Sequence, residues 1–410
     1  MKLLLFVCFL SAVIQANAQN TTYLKDLYLL RGQLAKTPSY KDQIKAQKAV
    51  AYQALVDSLS KLTTEDPTSF EYFANLSQLL FPVNDNHLIL SQTIKTTQTG
   101  NQQMIQFRKV PQYNYNTDSL RKVLSSKPDT SVEGIYYYEN KFEVGLFQIK
   151  PYEYLGVVLS SNFAAMQTAQ FAFYLYEKAP LQFHGIYLHP YSGQYILQLT
   201  EKYRNLSLVN SYKQFLDFTN TYKKDTLKPD YVNLPSNAPL FKYEKINDSV
   251  DYVVLRTFQR NNANTKESFA FYNQLRESVK GAYLILDLRN HYGGSKLEMK
   301  KFYKLMQQYT KKNKLYVLVN NRTLSQAEIF TYMLQQLKNT TTAGQTTKGM
   351  ITYGSNYGKS NTLPSGEIIF NPTDMYGQFK LLNYENTGIE PQIILTTNQN
   401  WIQQVLDLIK

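Results

Sequence analysis

A serine lies between a predicted strand and a predicted helix. Ser325 follows the apolar run 315–319 and precedes apolar residues at helical spacing that begin at Phe330. A hydroxyl at the start of a helix meets the positive end of the helix dipole, and the N–H of Gln326 lies beside it. This position suits an oxygen nucleophile, but a serine there is also an ordinary helix N-cap. The position alone leaves both interpretations open.

Two adjacent glycines follow a second apolar run, residues 283–288. Gly293 and Gly294 allow a tight turn with exposed backbone N–H groups, which can hold an oxyanion. Taken alone, the pair also fits a plain strand-to-helix turn. The sequence has no G-x-x-x-x-G-K-[ST] motif, so no phosphate loop of that type is predicted. Chemistry in α/β sheets gathers where strands end, and this loop and the one at Ser325 follow two such ends.

Three segments with different patterns must position these groups. Apolar residues recur at helical spacing from about Tyr23 to Leu80, and β-rich runs follow between about Val132 and Lys242. From about Asn247 to Lys410, strands alternate with helices. We therefore predict an α+β multidomain chain with a helical N-terminal segment, a small antiparallel β domain and an α/β domain. The predicted domains are 19–120, 121–245 and 246–410.

The first 18 residues are predicted to be a signal peptide. Lys2 supplies the positive start, residues 3–13 are apolar, and Ala16-Asn17-Ala18 gives a small-x-small cleavage pattern. The run is too short to span a bilayer, and no later segment resembles a transmembrane helix. Cys8, the one cysteine, lies in this run, which excludes a disulfide framework and a thiolate zinc site. We expect an exported protein in the periplasm, at the cell surface or in the medium.

The basic residues are dispersed. Forty-four Lys and Arg against 31 Asp and Glu give a formal charge of +13. No run of five or six basic residues occurs, and no aromatic-rich RNA-binding signature accompanies the 34 tyrosines. The pattern favours a solvated basic surface, and nucleic acid is not expected as a partner.

Four motifs follow one another along the last segment. They are L-I-L-D-L-R-N at 284–290 with Gly293-Gly294, T-L-S-Q-A-E-I-F at 323–330, G-Q-T-T-K-G at 344–349 and Y-E-N-T-G-I-E-P at 384–391. This order resembles the tail-specific (C-terminal-processing) serine protease family, whose core is shared with the tricorn protease. The resemblance covers about residues 247–400 and the short stretch Asp85-Asn86-His87. It implies a ClpP/crotonase-like catalytic core and serine peptidase activity on extended polypeptides.

In the best-known branch of that family, a lysine in G-E-x-T-x-G-K-G activates the serine. The aligned stretch here runs from Gly344 to Ile351, and Met350 stands at the lysine position. A thioether cannot take a proton from a hydroxyl, so a Ser–Lys dyad is not supported. Lys348 is out of register and is expected to be solvated.

The tricorn-like branch implies a different set of roles. Ser325 would be the nucleophile, His87 the general base and Glu385 the carboxylate that orients the base. Imidazole, with an ordinary pKa near 6.5, is suited to take the serine proton at neutral pH. The tricorn-type serine just before the histidine is Asn86 here, so the relay between Glu385 and His87 departs from the family pattern.

The same resemblance implies an oxyanion hole. The N–H groups of Gly293 and Gln326 would bind the oxyanion, with Gly294 as the alternative donor on the first loop. Removing one such donor typically lowers the rate of an enzyme about 100–1,000-fold. This chemistry requires neither a metal nor an organic cofactor.

Other polar residues are weaker candidates for the reaction. His291 lies near the glycine turn and is a weaker candidate for the base. Glu390 competes with Glu385, although its Ile-Glu-Pro context indicates a structural role. The other residues expected to be structural are His184, His189, Asp287 and Arg289.

The β segment and two substitutions leave alternatives open. Residues 100–245 contain no G-L-G-[FI]-like carboxylate-binding loop, so no PDZ domain is predicted there. Met350 and Asn86 support an alternative, a catalytically degenerate protease-fold protein that binds peptides or apolar ligands without cleavage. A third interpretation is a glycan-binding surface formed by the tyrosines of the β segment.

Overall fold

The computed structural model describes residues 22–99, 102–211, 221–355, 358–376 and 378–409. The predicted signal peptide lies outside these ranges. Contacts divide the chain into two compact units. The N-terminal unit comprises the described residues up to 211, residues 221–225 and those described between 355 and 376; the C-terminal unit comprises 226–354 and 378–409. The predicted boundary at residue 120 falls inside the N-terminal unit.

Helices at the start of the N-terminal unit turn an apolar stripe inward. In α1, residues 22–34, the stripe from Tyr23 to Leu34 is buried at helical spacing. Thr37 and Ser69 each cap the helix that directly follows them, by accepting an N–H of its first turn. The other helices of this unit are α2 (Pro38–Gln43), α3 (Gln47–Leu59), α4 (Phe70–Ser77), followed by a 3-10 turn at Gln78–Leu80, and α5 (Thr117–Leu124).

A ten-stranded antiparallel sheet forms the rest of this unit. Its strands are β1 (Ile89–Gln92), β4 (Gly134–Tyr138), β5 (Phe142–Lys150), β6 (Glu153–Ser161), β7 (Phe171–Ala179), β8 (Gln182–Leu188), β9 (Tyr195–Arg204), β10 (Ser207–Leu208), β16 (Asn361–Thr362) and β17 (Ile368–Asn371). They lie in the order β16-β17-β1-β9-β8-β7-β6-β5-β4, with β10 beside β9. The hairpin β2 (Thr96–Thr99) and β3 (Gln102–Ile105) pairs separately. The predicted antiparallel β region is confirmed, and the sheet also takes strands from before and after it.

Aromatic side chains fill the core of the N-terminal unit. Several hydroxyls among them are paired with carboxylates: Tyr187 donates to Glu201 (2.8 Å) and Tyr154 to Glu177 (2.8 Å). These rings are packed inside and closed to a glycan, whereas Tyr152 of the same region is 68% exposed, so the third interpretation stays a prediction. Among the described residues of 121–245, the buried tyrosines are Tyr136, Tyr138, Tyr154, Tyr174, Tyr187, Tyr195, Tyr203 and Tyr222.

The C-terminal unit is the predicted α/β domain. Its strands are β11 (Phe241–Lys245), β12 (Val250–Leu255), β13 (Tyr283–Asp287), β14 (Lys314–Val319), β15 (Thr340–Gly344) and β18 (Ile393–Ile394), in that order across the sheet. β11 is antiparallel to β12, and every later pairing is parallel. Its helices are α6 (Asn262–Ser278), α7 (Lys296–Tyr309), α8 (Gln326–Gln335) and α9 (Trp401–Ile409), with a 3-10 turn at Phe379–Tyr384.

One helix begins earlier than the apolar pattern predicts. The pattern places the start of α6 at Ser268, whereas the helix begins at Asn262. Asn261 caps it by accepting the N–H of Asn264 (2.8 Å). The first turns are polar, so their helical conformation leaves no apolar periodicity to detect. Among the described residues, no helix is both long and apolar enough to cross a membrane.

Candidate active site

Ser325 is the N-cap of α8 and has a strained backbone. Its φ is 57° and its ψ is −123°, a positive φ that side-chain-bearing residues adopt rarely. Such a conformation costs of order 1–3 kcal/mol and persists only where the surroundings impose it. The residue is partly buried, at the point where the chain leaves β14 and turns into the helix.

The two predicted loops lie against each other. Asn320 donates from Nδ2 to Oδ1 of Asn290 (2.8 Å), and the hydroxyl of Thr323 donates to the carbonyl of Leu288 (2.8 Å). These bonds join the turn before Ser325 to the loop after β13. The arrangement follows from the parallel pairing of β13 with β14, which brings their carboxyl ends to one edge.

Gly293 sits directly beside the serine. A Cβ added to Gly293 would lie 2.8 Å from Cβ of Ser325 and 3.1 Å from N of Gln326. Gly294 has a different neighbour, since a Cβ there would lie 2.3 Å from the carbonyl carbon of Phe258. Glycine is therefore required at both positions for close backbone approach, and the φ of each is positive.

The backbone N–H groups of this region differ in their hydrogen bonds. The N–H of Gly293 donates to Nδ1 of His291 (2.9 Å). Within the described parts of the chain, the N–H groups of Gly294 and Gln326 meet no acceptor. Gly293 is buried, whereas Gly294 is exposed and Gln326 partly buried. The N–H groups left for a ligand here are those of Gly294 and Gln326.

Glu328 is a buried residue that the sequence reasoning did not single out. Its Oε1 accepts the Thr347 hydroxyl (2.6 Å) and the N–H of Gly349 (2.7 Å). Its Oε2 accepts the N–H groups of Met350 (2.8 Å) and Ser325 (3.1 Å). Burial raises the pKa of Glu328, and these hydrogen bonds oppose the rise. The spacing S-x-x-E, typical of a capping box, was the signal available in the sequence.

Glu385 binds the two residues that follow those bound by Glu328. It is buried, and its Oε2 accepts the N–H groups of Ile351 (2.9 Å) and Thr352 (2.8 Å). Four successive N–H groups, from residue 349 to 352, are thus bound by two carboxylates. Met350 lies in this segment with a buried side chain, so the aligned lysine position carries no ionisable group.

Lys348 is buried, which corrects the expectation of a solvated side chain. Only 4% of its surface is exposed, and its N–H donates to the carbonyl of Thr323 (3.1 Å). The physical reason is the anchoring of the neighbouring Thr347 and Gly349 by Glu328, which holds this stretch in the interior.

His87 belongs to the N-terminal unit, where a buried aspartate shapes its turn. Asp85 accepts the N–H of His87 (3.0 Å) and the hydroxyl of Thr373 (2.7 Å). Burial lowers the pKa of His87 to about 4, so the imidazole is neutral near pH 7, as a general base must be. Asn86, at the position of the tricorn-type serine, accepts the hydroxyl of Thr200 (2.7 Å).

The other histidines have local partners. Burial lowers the pKa of His291 to about 3, and its Nδ1 is engaged by the N–H of Gly293, which makes it a poor base. Nδ1 of His184 bonds the carbonyl of Leu199 (2.7 Å), and Nδ1 of His189 bonds the hydroxyl of Ser192 (2.8 Å). These contacts agree with the structural roles expected for His184 and His189.

Asp287 and Arg289 brace the end of β13, as expected. The Nη2 of Arg289 lies 2.6 Å from Oδ2 of Asp287, and the N–H of Arg289 donates to Oδ1 (3.0 Å). The hydroxyl of Tyr252 also donates to this carboxylate (2.8 Å). Both charged groups are buried and satisfied by each other, so they shape the loop before Gly293.

A comparison with protein families bears on the second half of this unit. Residues 296–395 match the model of peptidase family S41. The family resemblance is confirmed for this segment. The S41 match contains Ser325, Glu328, Met350 and Glu385, whereas the two glycines and His87 lie outside it. S41 members are serine peptidases, so a peptidase is supported at the level of the family. Among curated proteins, none matches the chain.

Solved structures of proteases resemble the chain only distantly. A putative peptidase from Parabacteroides merdae is 12% identical, with 94% of this chain and 96% of that chain covered and a TM-score of 0.42. The photosystem II D1 C-terminal processing protease is 14% identical, with 92% and 93% covered and a TM-score of 0.36. The tricorn protease is 11% identical, with 95% and 36% covered and a TM-score of 0.41. At these values the likenesses establish no activity for this chain.

Proposed function

We propose that this protein is an exported serine peptidase that hydrolyses peptide bonds of extended polypeptides. The observation that carries the proposal is the backbone around Ser325. The serine occupies a strained helix start inside the S41 match, and the N–H groups of Gln326 and Gly294 close by meet no acceptor in the described chain. Nucleophile and oxyanion donors are the two parts that acyl transfer requires.

In the proposed reaction, Ser325 Oγ attacks the carbonyl carbon of the scissile bond while His87 takes the hydroxyl proton. The tetrahedral oxyanion is bound by the N–H of Gln326 and by the glycine loop. Collapse breaks the C–N bond, and the amine leaves with the proton from His87. A water molecule, deprotonated by the same imidazole, then attacks the acyl carbon; the C–O bond to Ser325 breaks and the imidazolium returns the proton to Oγ.

On the glycine loop, the proposed donor is the N–H of Gly294, with Gly293 as the second possibility. The Gly293 N–H is bound to His291 in the free protein, so using it would require that bond to break. The Gly294 N–H needs no such exchange and belongs to an exposed residue.

The roles of His87 and Glu385 rest on the family resemblance. A neutral imidazole agrees with the role of base for His87. Oε2 of Glu385 accepts two backbone N–H groups, which hold this carboxylate in a fixed place. Export is proposed from the pattern of residues 1–18, with Ala18 as the last residue removed.

The test is cleavage of an unfolded polypeptide by residues 19–410, together with covalent labelling by a fluorophosphonate. Ser325→Ala should lower cleavage roughly 10⁴-fold or more and abolish labelling. Ser69→Ala is the matched control, because Ser69 also caps a helix; it should lose some stability and keep full activity. Equal cleavage by wild type and Ser325→Ala would refute the assignment.

The degenerate-core alternative predicts a different result. Met350 at the aligned lysine position is the observation that favours it. Under this alternative the wild type binds an unfolded polypeptide without cleaving it, and Ser325→Ala binds equally well. Turnover that depends on Ser325 would exclude it.

A further inference from the structure

The N-terminus of α8 is tied to a distant segment by one side chain. Glu328 lies on the first turn of α8 and is completely buried. Its four hydrogen bonds reach back to Ser325 and across to residues 347–350. We propose that Glu328 is a positioning residue that holds Ser325 in its reactive backbone conformation; this inference rests on the proposed function.

The bonding pattern suits a carboxylate that accepts at both oxygens. All four partners donate, and each oxygen accepts two of them, one pair at 2.6 and 2.7 Å and the other at 2.8 and 3.1 Å. An amide would place its NH₂ group against at least one backbone N–H in either orientation. Such a mismatch in the interior costs more than the loss of an exposed hydrogen bond.

The consequence for Ser325 is specific. Glu328 accepts the N–H of the strained residue itself, so it restrains the φ of 57°. When that bond is lost, the chain can relax toward an ordinary helix start, which moves both Oγ of Ser325 and the N–H of Gln326. A displacement of about 1 Å in a reacting group can lower a rate about 100-fold.

The C-terminal unit offers a matched control carboxylate. Asp251 is buried and accepts the N–H groups of Lys280 (2.9 Å) and Gly281 (2.8 Å) and the hydroxyl of Tyr243 (2.9 Å). It lies near the start of β12, the end of the parallel sheet opposite to the loops at Ser325. Asp251→Asn therefore alters a buried carboxylate of the same unit without touching the serine.

The experiment compares wild type, Glu328→Gln, Asp251→Asn and Ser325→Ala in residues 19–410. For each, kcat and KM on a fluorogenic peptide, the rate of fluorophosphonate labelling and urea unfolding are measured. Glu328→Gln should lower kcat and the labelling rate about 100-fold with KM unchanged within threefold. Asp251→Asn should keep kcat within threefold, and urea unfolding gives the stability that each variant loses.

A gentler pair of variants covers the case in which Glu328→Gln does not fold. Thr347→Val removes one donor to Glu328, and Thr347→Ser keeps it. We expect a roughly tenfold lower kcat in Thr347→Val and recovery in Thr347→Ser.

Two outcomes are distinguished by this design. If Glu328→Gln retains the kcat of Asp251→Asn, or if Thr347→Val retains that of Thr347→Ser, the positioning role is overturned while the peptidase stands. If wild type and Ser325→Ala do not differ, the proposed function fails and the positioning role fails with it.

Discussion

Two helix starts in this protein share one unusual backbone conformation. Ala46, before α3, has φ 49° and ψ −126°, and Ser325, before α8, has φ 57° and ψ −123°. Both residues carry a side chain in a region that favours glycine. One start is exposed in the N-terminal unit, and the other is partly buried beside Gly293 in the C-terminal unit.

The surroundings of the two starts separate a strained turn from a candidate site. Ala46 has no side chain that can cap the helix, and the third residue of its helix is the exposed Ala49. Ser325 has a hydroxyl, and the third residue of its helix is Glu328, which accepts the serine N–H. Strain alone therefore does not distinguish a candidate nucleophile; Ser325 differs from Ala46 in the carboxylate that accepts its N–H and in the N–H of Gln326 beside it, which meets no acceptor among the described residues.

In this comparison, the largest expected effect on cleavage comes from adding a methyl group next to Ser325. Gly293→Ala would place a Cβ 2.8 Å from Cβ of Ser325, at a φ of +72°. Because the serine must shift, cleavage should fall at least about 100-fold. Gly366→Ala is the control, since Gly366 has a φ of +74° and no atom within 4 Å of the added Cβ. Full activity in Gly293→Ala would show that the serine does not need this packing.

Acidic pH should destabilise the C-terminal unit through His291, which lies in the loop that faces Ser325. Burial lowers the pKa of His291 to about 3 in the folded protein, against about 6.5 when unfolded. The folded state therefore favours the neutral ring, and the contribution of His291 to the free energy of unfolding is complete above pH 6.5 and is lost as the pH falls toward 3. Between pH 7.5 and 5.5 the loss is about 1 kcal/mol. Trp401, the one tryptophan, is buried in the same unit and reports its unfolding in urea. His291→Asn should show a correspondingly smaller pH dependence; an identical pH dependence in both proteins would contradict this.

Relieving the strain should have the same effect on stability at both starts. Ala46→Gly should stabilise the N-terminal unit by about 1 kcal/mol, and Ser325→Gly should exceed Ser325→Ala by a similar amount in the C-terminal unit. The free energy of unfolding in urea is measured by far-UV circular dichroism for the variant at Ala46 and by Trp401 fluorescence for the variants at Ser325. A gain at Ala46 without a gain at Ser325 would mean that the contacts of Ser325, and not its φ, decide the conformation.

The smallest expected effect on stability comes from placing a glutamate at the third residue of α3, the position that Glu328 has in α8. Ala49→Glu puts a carboxylate at the third residue of α3, from which it can accept the N–H of Ala46. The gain should be about 0.5 kcal/mol, because the site is exposed and near a helix N-terminus. Ala49→Gln keeps the acceptor without the charge, so urea unfolding of both variants separates the hydrogen bond from the dipole effect. No gain in either variant would show that a carboxylate acts here only when buried.

Much of the C-terminal unit could be predicted because its signals are local. Apolar runs such as 283–288 and 315–319 are buried strands, and parallel pairing brings the loops after them together. The apolar pattern places the beginning of α6 six residues after its true start at Asn262, since polar helical turns leave no periodicity.

The sequence by itself determined the kind of those elements that carry a clear apolar pattern, and the place of Ser325 between a strand and a helix, because hydrophobic periodicity acts over a few neighbouring residues. Only the tertiary structure decided which N–H groups are open, that Lys348 is buried, and that Glu328 binds four donors. These properties depend on contacts between residues distant in the chain, and a hydrogen bond or a buried charge exists only once the fold has brought its partners together.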